Sequence, residues 1–242
     1  MLSRMIRGLV DTVYPRLCLV CKNKLEPSSP QNNLICAECW GKIKRNTPPF
    51  CHCCGRKLPK VGFAKNICPE CLKKKLHFDR AFSPCVYDGV IKELIHQFKY
   101  KGKDYLGALL SKLMIEFIKE YDLPMDYLDF IMPIPLHKTR LREREFNQAQ
   151  ILAKFICEEF NKQALNATLL RHRQTKTQTD LEAGERILNV KGSFSVTGLE
   201  NLTGKNILLV DDVLTTGATS SEAALALKDA GANIVFVLTL AN

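Results

Sequence analysis

Acidic residues are scarce in the first third of the chain, where residues 1–80 hold 5 Asp/Glu against 16 Lys/Arg. The other 162 residues hold 20 against 19, so the net charge of +10 belongs almost entirely to the start of the chain. Long apolar runs are also lacking. The longest uncharged one, "AGANIVFVLTLAN", falls short of the roughly 20 residues that a membrane-spanning helix needs. A secretory signal is not expected either, because Arg4, Arg7 and Asp11 interrupt the opening "MLSRMIRGLVDTVYP". Two common phosphate-binding signatures are missing: there is no GxxxxGK followed by Ser or Thr, and no GxGxxG after a strand. "GLENLTGKN" misses the first by its spacing and by its final residue. These absences exclude a membrane span, a P-loop nucleotidase and a dinucleotide-binding unit. They favour a cytoplasmic, reducing setting.

Cysteine is abundant but confined. Nine of the 11 cysteines lie between Cys18 and Cys71. Eight of them form four CxxC pairs: Cys18/Cys21, Cys36/Cys39, Cys51/Cys54 and Cys68/Cys71. The first two pairs are separated by 14 residues and the last two by 13. Two thiolates on one tight turn reach a single ion at about 2.3 Å, and two such turns complete a tetrahedron. In a reducing compartment this spacing predicts two structural zinc ions rather than disulfides. Sequential pairing makes two zinc ribbons, and crossed pairing is the alternative that spacing leaves open. His52, Cys53 and His77 are spare ligands, while Cys85 and Cys157 read as apolar fillers. A stretch with so few large hydrophobes folds only with its metal.

Segregated charge of this kind predicts a distinct N-terminal unit, residues 1–80, with a partner of its own. The candidate contacts are Lys42, Lys44 and Arg45 between the ribbons, Arg56 and Lys57 in the second, and Lys73, Lys74 and Lys75 at its end, with Lys60 and Lys65 alongside. Trp40, Phe50 and Phe63 lie among them. A cationic track interleaved with aromatic faces suits single-stranded DNA. Residues 1–14 add an amphipathic face (Leu2, Met5, Ile6, Leu9, Val10, Val13) with two alternatives, packing on the chain's own domain or peripheral contact with the inner face of a membrane.

Residues 81–242 change character. Ile91, Leu94, Ile95 and Phe98 form one helical face, and Leu106, Leu109, Leu110, Leu113 and Phe117 another. "YLDFIMPIPLH", "NATLL", "NILLVDD" and "NIVFVLTL" read as strands. "EFNQAQILAKFICEEF", with Asn147 as cap, and "TSSEAALALKDAG", closed by Gly231, read as helices. Alternating strands and helices predict an α/β fold with a parallel sheet flanked by helices. In such sheets ligands bind where a strand's carboxyl end turns into a helix. There Asp211 and Asp212 are followed by Thr215, Thr216, Gly217, Ala218 and Thr219. Hydroxyls and free amides at a helix start hold phosphate. The paired acids would repel phosphate, but they suit the vicinal hydroxyls of a sugar. The implied ligand is a ribose 5-phosphate.

"ILLVDDVLTTGAT" resembles the phosphoribosyl pyrophosphate (PRPP) motif of type I phosphoribosyltransferases. The four CxxC pairs, "PIPLHKTRLREREFNQAQILA", "RQTKTQTDLEAGERILNVKGSF" and "FKYKGK" are similar to the ComF family of competence proteins, over nearly the whole chain. The resemblance implies a double zinc ribbon on a phosphoribosyltransferase-like domain, Mg²⁺ with PRPP, and a role in DNA uptake during natural transformation beside a helicase-like partner. It gives the segment after "IMPIPLH", with His137, Lys138, Arg140, Arg142 and Arg144, the place of a pyrophosphate loop. "RHRQTKTQTDLEAGER" takes the place of a mobile lid. Where the family pattern has Gly before Phe146 this chain has Glu145, which a positive φ would strain. Two functions follow: handling of single-stranded DNA with a PRPP-sensing site, or an active Mg²⁺-dependent phosphoribosyltransferase. For the second, no residue identifies the nucleophile.

Overall fold

The computed structural model describes residues 15–25, 34–59, 66–100, 102–165, 168–173, 190–198 and 201–242. The amphipathic start, Lys60, Phe63, Lys65 and most of the expected lid lie outside the described residues. In chain order come the short helices α1 (Ala37–Gly41) and α2 (Pro69–Leu72), strand β1 (Arg80–Phe82), and helices α3 (Gly89–Tyr100) and α4 (Leu106–Glu120). Strand β2 (Phe130–Pro133), helices α5 (Lys138–Arg144) and α6 (Gln148–Phe160), and strands β3 (Gln163–Ala164), β4 (Leu169–Arg171) and β5 (Phe194–Val196) follow. Strand β6 (Asn206–Val213), helix α7 (Ala218–Asp229) and strand β7 (Ile234–Ala241) complete the order. Five strands form one sheet in the order β1-β7-β6-β2-β3, with every pairing parallel. β4 and β5 form a separate antiparallel pair.

Alternation along the two long strands explains the layers. Leu208, Val210, Leu238 and Leu240 face a core shared with α3, α4 and α6. Ile207, Leu209, Val235 and Val237 face the opposite core, where Ala223, Ala224 and Leu227 of α7 pack. Side chains of a strand point alternately to its two faces, so β6 and β7 must be apolar throughout to be covered on both. The predicted faces of α3 and α4 are the buried ones: Ile91, Leu94, Ile95, Phe98, Leu106, Leu110 and Leu113 are fully inaccessible. Asn147 caps α6 as expected, its Oδ1 accepting from Ala149 N at 3.1 Å while its Nδ2 donates to Ile134 O at 3.1 Å. That second bond fixes the start of α6 to the end of β2.

The ribbons are fastened to this domain. Cys18, Leu25, Ile35, Cys39 and Ile43 belong to the same buried core as α3 and α4. Gln97 Nε2 donates to Leu19 O at 2.9 Å. Asn46, itself buried, donates from Nδ2 to Gly55 O at 2.9 Å and to Ser83 O at 3.0 Å. The second ribbon has a small core of its own, comprising Cys51, Leu58, Cys68 and Cys71. It is tied down by Ala81 N donating to Cys53 O at 2.7 Å and Asn242 Nδ2 donating to Cys54 O at 3.1 Å. Gly55 is required at this junction: its φ is +69°, and a Cβ there would lie 2.3 Å from Ala81 O.

Candidate functional site

The two cysteine tetrads are Cys18/Cys21/Cys36/Cys39 and Cys51/Cys54/Cys68/Cys71, each with its sulfurs all within 4.8 Å of one another. The pairing is therefore sequential. A tetrahedron with arms of about 2.3 Å has edges of about 3.8 Å. Cys21 Sγ and Cys36 Sγ stand 3.7 Å apart, as do Cys54 Sγ and Cys68 Sγ. Amides support the sulfurs, Cys36 N donating to Cys18 Sγ at 3.5 Å and Cys68 N to Cys51 Sγ at 3.3 Å. Both tetrads thus fit Zn²⁺ in geometry and donor type. His52, Cys53 and His77 stand outside them. Cys85 and Cys157 are buried, and burial pushes their thiols up to about 12 and about 11, as inert fillers require.

The second site stands at the carboxyl end of β6. Register places Pro133 of β2 opposite Val210, and Asp211 opposite Thr239 of β7. The segment leaving β2 therefore starts beside the acid pair. Asp211 is half-buried and Asp212 buried, and Asp212 N donates to Asp211 Oδ1 at 2.8 Å. Lys99, in the last turn of α3, reaches Asp212 Oδ1 at 2.8 Å, with side-chain exposures of 17% and 10%. Burial pulls the Lys99 ammonium down, but Asp212 and then Asp211 outweigh it and hold the group above its ordinary value. Burial and the neighbouring Asp212 push the Asp211 carboxyl up to about 7, with Lys99 and Arg171 opposing the rise. Burial lowers Arg171, on β4, against the pull of Asp211, and the charges of Arg140 and Arg144 reach it. The acid pair thus faces two cations, Lys99 of α3 and Arg171 of β4, and the charges of Arg140 and Arg144 on α5 reach Arg171.

Of the expected pyrophosphate-loop residues, Lys138, Arg140 and Arg144 lie on α5 rather than on an open loop, and His137 caps it, its Nδ1 accepting from Thr139 N at 3.3 Å. Arg140 pairs with Glu143 at 2.9 Å. Arg144 lies 5.1 Å from the centre of the Tyr100 ring and donates from Nη1 to Gln148 Oε1 at 3.1 Å. Its Nε is buried without a hydrogen-bond partner among the described residues. Glu145 ends α5 with φ +66°, the left-handed conformation that the family's glycine would adopt freely.

After β6, Gly217 takes φ +78° at the start of α7 and brings no capping side chain. Thr216 Oγ1 accepts from Ala218 N at 3.4 Å. Thr215 is exposed, and Thr216 and Thr219 are half-buried. The segment leaving the second ribbon lies against this loop. Leu76 and Phe78 stand 3.4 and 3.6 Å from where a Gly217 Cβ would be, and His77 N donates to Ser221 Oγ at 3.0 Å.

The basic candidates divide. Lys42 pairs with Glu38, Lys44 with Asp88, Arg45 with Glu116 and Lys74 with Glu70. Arg56, Lys57, Lys73 and Lys75 make no ion pair with a described residue and surround the second ribbon. Trp40 lies under Arg45, 5.6 Å from its ring centre, and Phe50 packs edge-on against Phe117 and Tyr121, so these rings fill the core margin instead of forming a stacking track.

Lys99 and Arg171 are the residues that sequence reading missed. "FKYKGK" held the signal for Lys99, a lysine directly after the last buried residue of an apolar helical face. No helix among the described residues is long and apolar enough to cross a membrane.

The parallel sheet, the acid pair with its loop, and the two tetrads define a phosphoribosyltransferase-like domain carrying a double zinc ribbon. Profiles of known families agree: a double zinc ribbon domain matches residues 9–75 and a phosphoribosyl transferase domain residues 149–242. The chain is 31% identical to the DNA utilization protein YhgH of Salmonella typhi over 230 residues, 93% of this chain and 96% of that one. It is 28% identical to Competence protein F of Haemophilus influenzae over 230 residues, with the same coverage of both. A solved purine phosphoribosyltransferase from Pyrococcus horikoshii matches 55% of this chain and 71% of its own, at 16% identity and a TM-score of 0.34. The chain belongs to the ComF family of competence proteins.

Proposed function

We propose that the chain handles single-stranded DNA during natural DNA uptake, and that a ribose-phosphate site recognising PRPP or a related sugar phosphate accompanies this role. The observation that carries the reading is the segment that follows the second ribbon, whose Leu76, His77 and Phe78 lie against Gly217 and Ser221. It holds a ribbon bearing Arg56, Lys57, Lys73 and Lys75, which make no ion pair with a described residue, next to the Thr215–Thr219 loop. A cationic ribbon and a phosphate loop held side by side serve one ligand better than two. Asp211 and Asp212 would accept the sugar hydroxyls, and the loop would hold the 5-phosphate. Mg²⁺ bound with PRPP would neutralise its diphosphate.

A second reading is an active phosphoribosyltransferase on a nitrogen nucleophile. It is favoured by Lys99 and Arg171 standing beside the acids, since a departing diphosphate requires cations there. Calorimetry with Mg²⁺-PRPP, followed by pyrophosphate release across a panel of bases and amines, separates the two. Binding without turnover is expected, and turnover with any acceptor would transfer the assignment to the enzyme. For DNA, replacing Lys57, Lys73 and Lys75 by Gln should flatten the slope of log affinity against log salt by about 2 if all three touch phosphates. An unchanged slope would remove DNA from the second ribbon.

A further inference from the structure

Between the second ribbon and the phosphate loop lies a cavity of about 500 Å³. Thr215, Thr216 and Gly217 form one wall, Arg56 and Lys74 another, and Tyr87 presents an aromatic side chain. The size is that of small-ligand sites, which run from roughly 300 to 1,000 Å³. Asn242 also borders it: its Nδ2 is engaged by Cys54 O, while its Oδ1 is buried with no hydrogen-bond partner among the described residues. The cations have other work besides, since a tetrathiolate zinc centre carries about −2 and two of its sulfurs line the same space. Glu70 also stands 3.3 Å from Lys74. The cavity is therefore close to neutral, and its selectivity rests on shape, on ring contacts and on the loop.

Asp211 and Asp212 lie outside these walls, while the loop that follows them is one of the walls. A ligand filling both places must carry its groups in a fixed order: free hydroxyl, sugar, phosphate, then a further nucleotide-sized moiety. In a DNA strand every internal 3′ oxygen is esterified, so only the 3′-terminal sugar offers a free hydroxyl to the acids. Its 5′ oxygen leads through a phosphodiester to the penultimate nucleotide. The group order required by the two sites is thus that of a 3′ end.

We propose that the chain recognises the 3′-hydroxyl terminus of single-stranded DNA. The terminal sugar lies at Asp211 and Asp212, its phosphodiester on the Thr215–Thr219 loop, and the penultimate nucleotide in the cavity. This rests on the ribose-phosphate reading and specifies its ligand. A 3′-phosphate removes the free hydroxyl that the acids accept, and such a strand loses that hydrogen bond.

The test uses the zinc-loaded full chain and 5′-fluorescein single-stranded oligonucleotides of one sequence, ending in 3′-hydroxyl or 3′-phosphate, followed by anisotropy. The 3′-hydroxyl strand should bind at least about tenfold more tightly, the effect of one lost hydrogen bond to a charged group. Mg²⁺-PRPP should displace it. Arg56→Gln combined with Lys74→Gln should weaken binding of both strands while zinc content and PRPP affinity stay unchanged. Equal affinity for the two ends in a chain that binds PRPP overturns the 3′-end proposal alone. A chain with neither PRPP binding nor an end preference overturns the ribose-phosphate reading together with it. A double variant that binds both strands as tightly as the parent removes the cavity from the proposal.

Discussion

Asp211 and Asp212 are neighbours in the chain but carry different burdens. Burial and Asp212 raise the Asp211 carboxyl from 3.8 to about 7, so the folded chain holds a proton there that the unfolded chain releases near pH 4. The stability linked to this proton is complete below about pH 4 and is lost as pH rises through about 7. Asp211→Asn removes that loss. The variant should melt above the parent at pH 8, with the gap closing towards pH 4. Asp212→Asn acts in the opposite direction, because it leaves the buried Lys99 ammonium without its 2.8 Å partner. Orphaning one member of a buried pair costs about 3–5 kcal/mol, and with Asp211 still near Lys99 the lower end applies. Thermal melts at pH 5 and pH 8 check both, and a destabilising Asp211→Asn at pH 8 would contradict the electrostatics described here. Pairing across residues 99 and 212 leaves no trace in a linear pattern, so "FKYKGK" marks Lys99 as a lysine after a buried helical face but not as the partner of Asp212. Asp211 and Asp212 were legible because they interrupt an apolar strand.

Among elements, the long ones were legible. β6 and β7 show as continuous apolar runs, and α3, α4 and α6 each bury enough side chains for period 3.6 to show. β1 and β3, with 3 and 2 residues, are too short for any period and exist only through parallel pairing with β7 and β2. α5 read as a loop because none of its residues is buried, so it has no apolar face. Its end supplies a test. Glu145 sits at φ +66° and ψ −23°, and a left-handed conformation costs a non-glycine residue roughly 1–2 kcal/mol. Glycine relieves that strain but loses more backbone entropy on folding, so Glu145→Gly should gain about 0.5–1 kcal/mol. Glu145→Ala keeps the strain and should gain nothing. Chemical denaturation of the two variants separates them, and equal stability would show that the backbone at Glu145 stores no strain.

For the whole molecule, the charge boundary near residue 80 and the packing boundary do not coincide. The basic surplus ends there, yet Cys18, Leu25, Ile35, Cys39 and Ile43 of the first ribbon share one core with Ile91, Leu94 and Leu110. Charge segregation reports which surface a partner meets, whereas burial reports which segments unfold together. The zinc of the first tetrad therefore stabilises more than its own ribbon, since metal-binding energy here is folding energy. Cys36→Ser should release one ion and free Leu25, Ile35 and Ile43 from the shared core. At about 1.5–3 kcal/mol for each buried aliphatic side chain, at least about 5 kcal/mol is lost. With roughly 2–4 °C per kcal/mol for a chain of this size, Tm should fall by about 10 °C or more. Scanning calorimetry should show one cooperative transition, shifted down as a unit, while elemental analysis finds one ion retained in the second tetrad. Two separate transitions, the larger one unmoved, would mean that the first ribbon unfolds on its own and that residue 80 divides the molecule energetically as well as electrostatically.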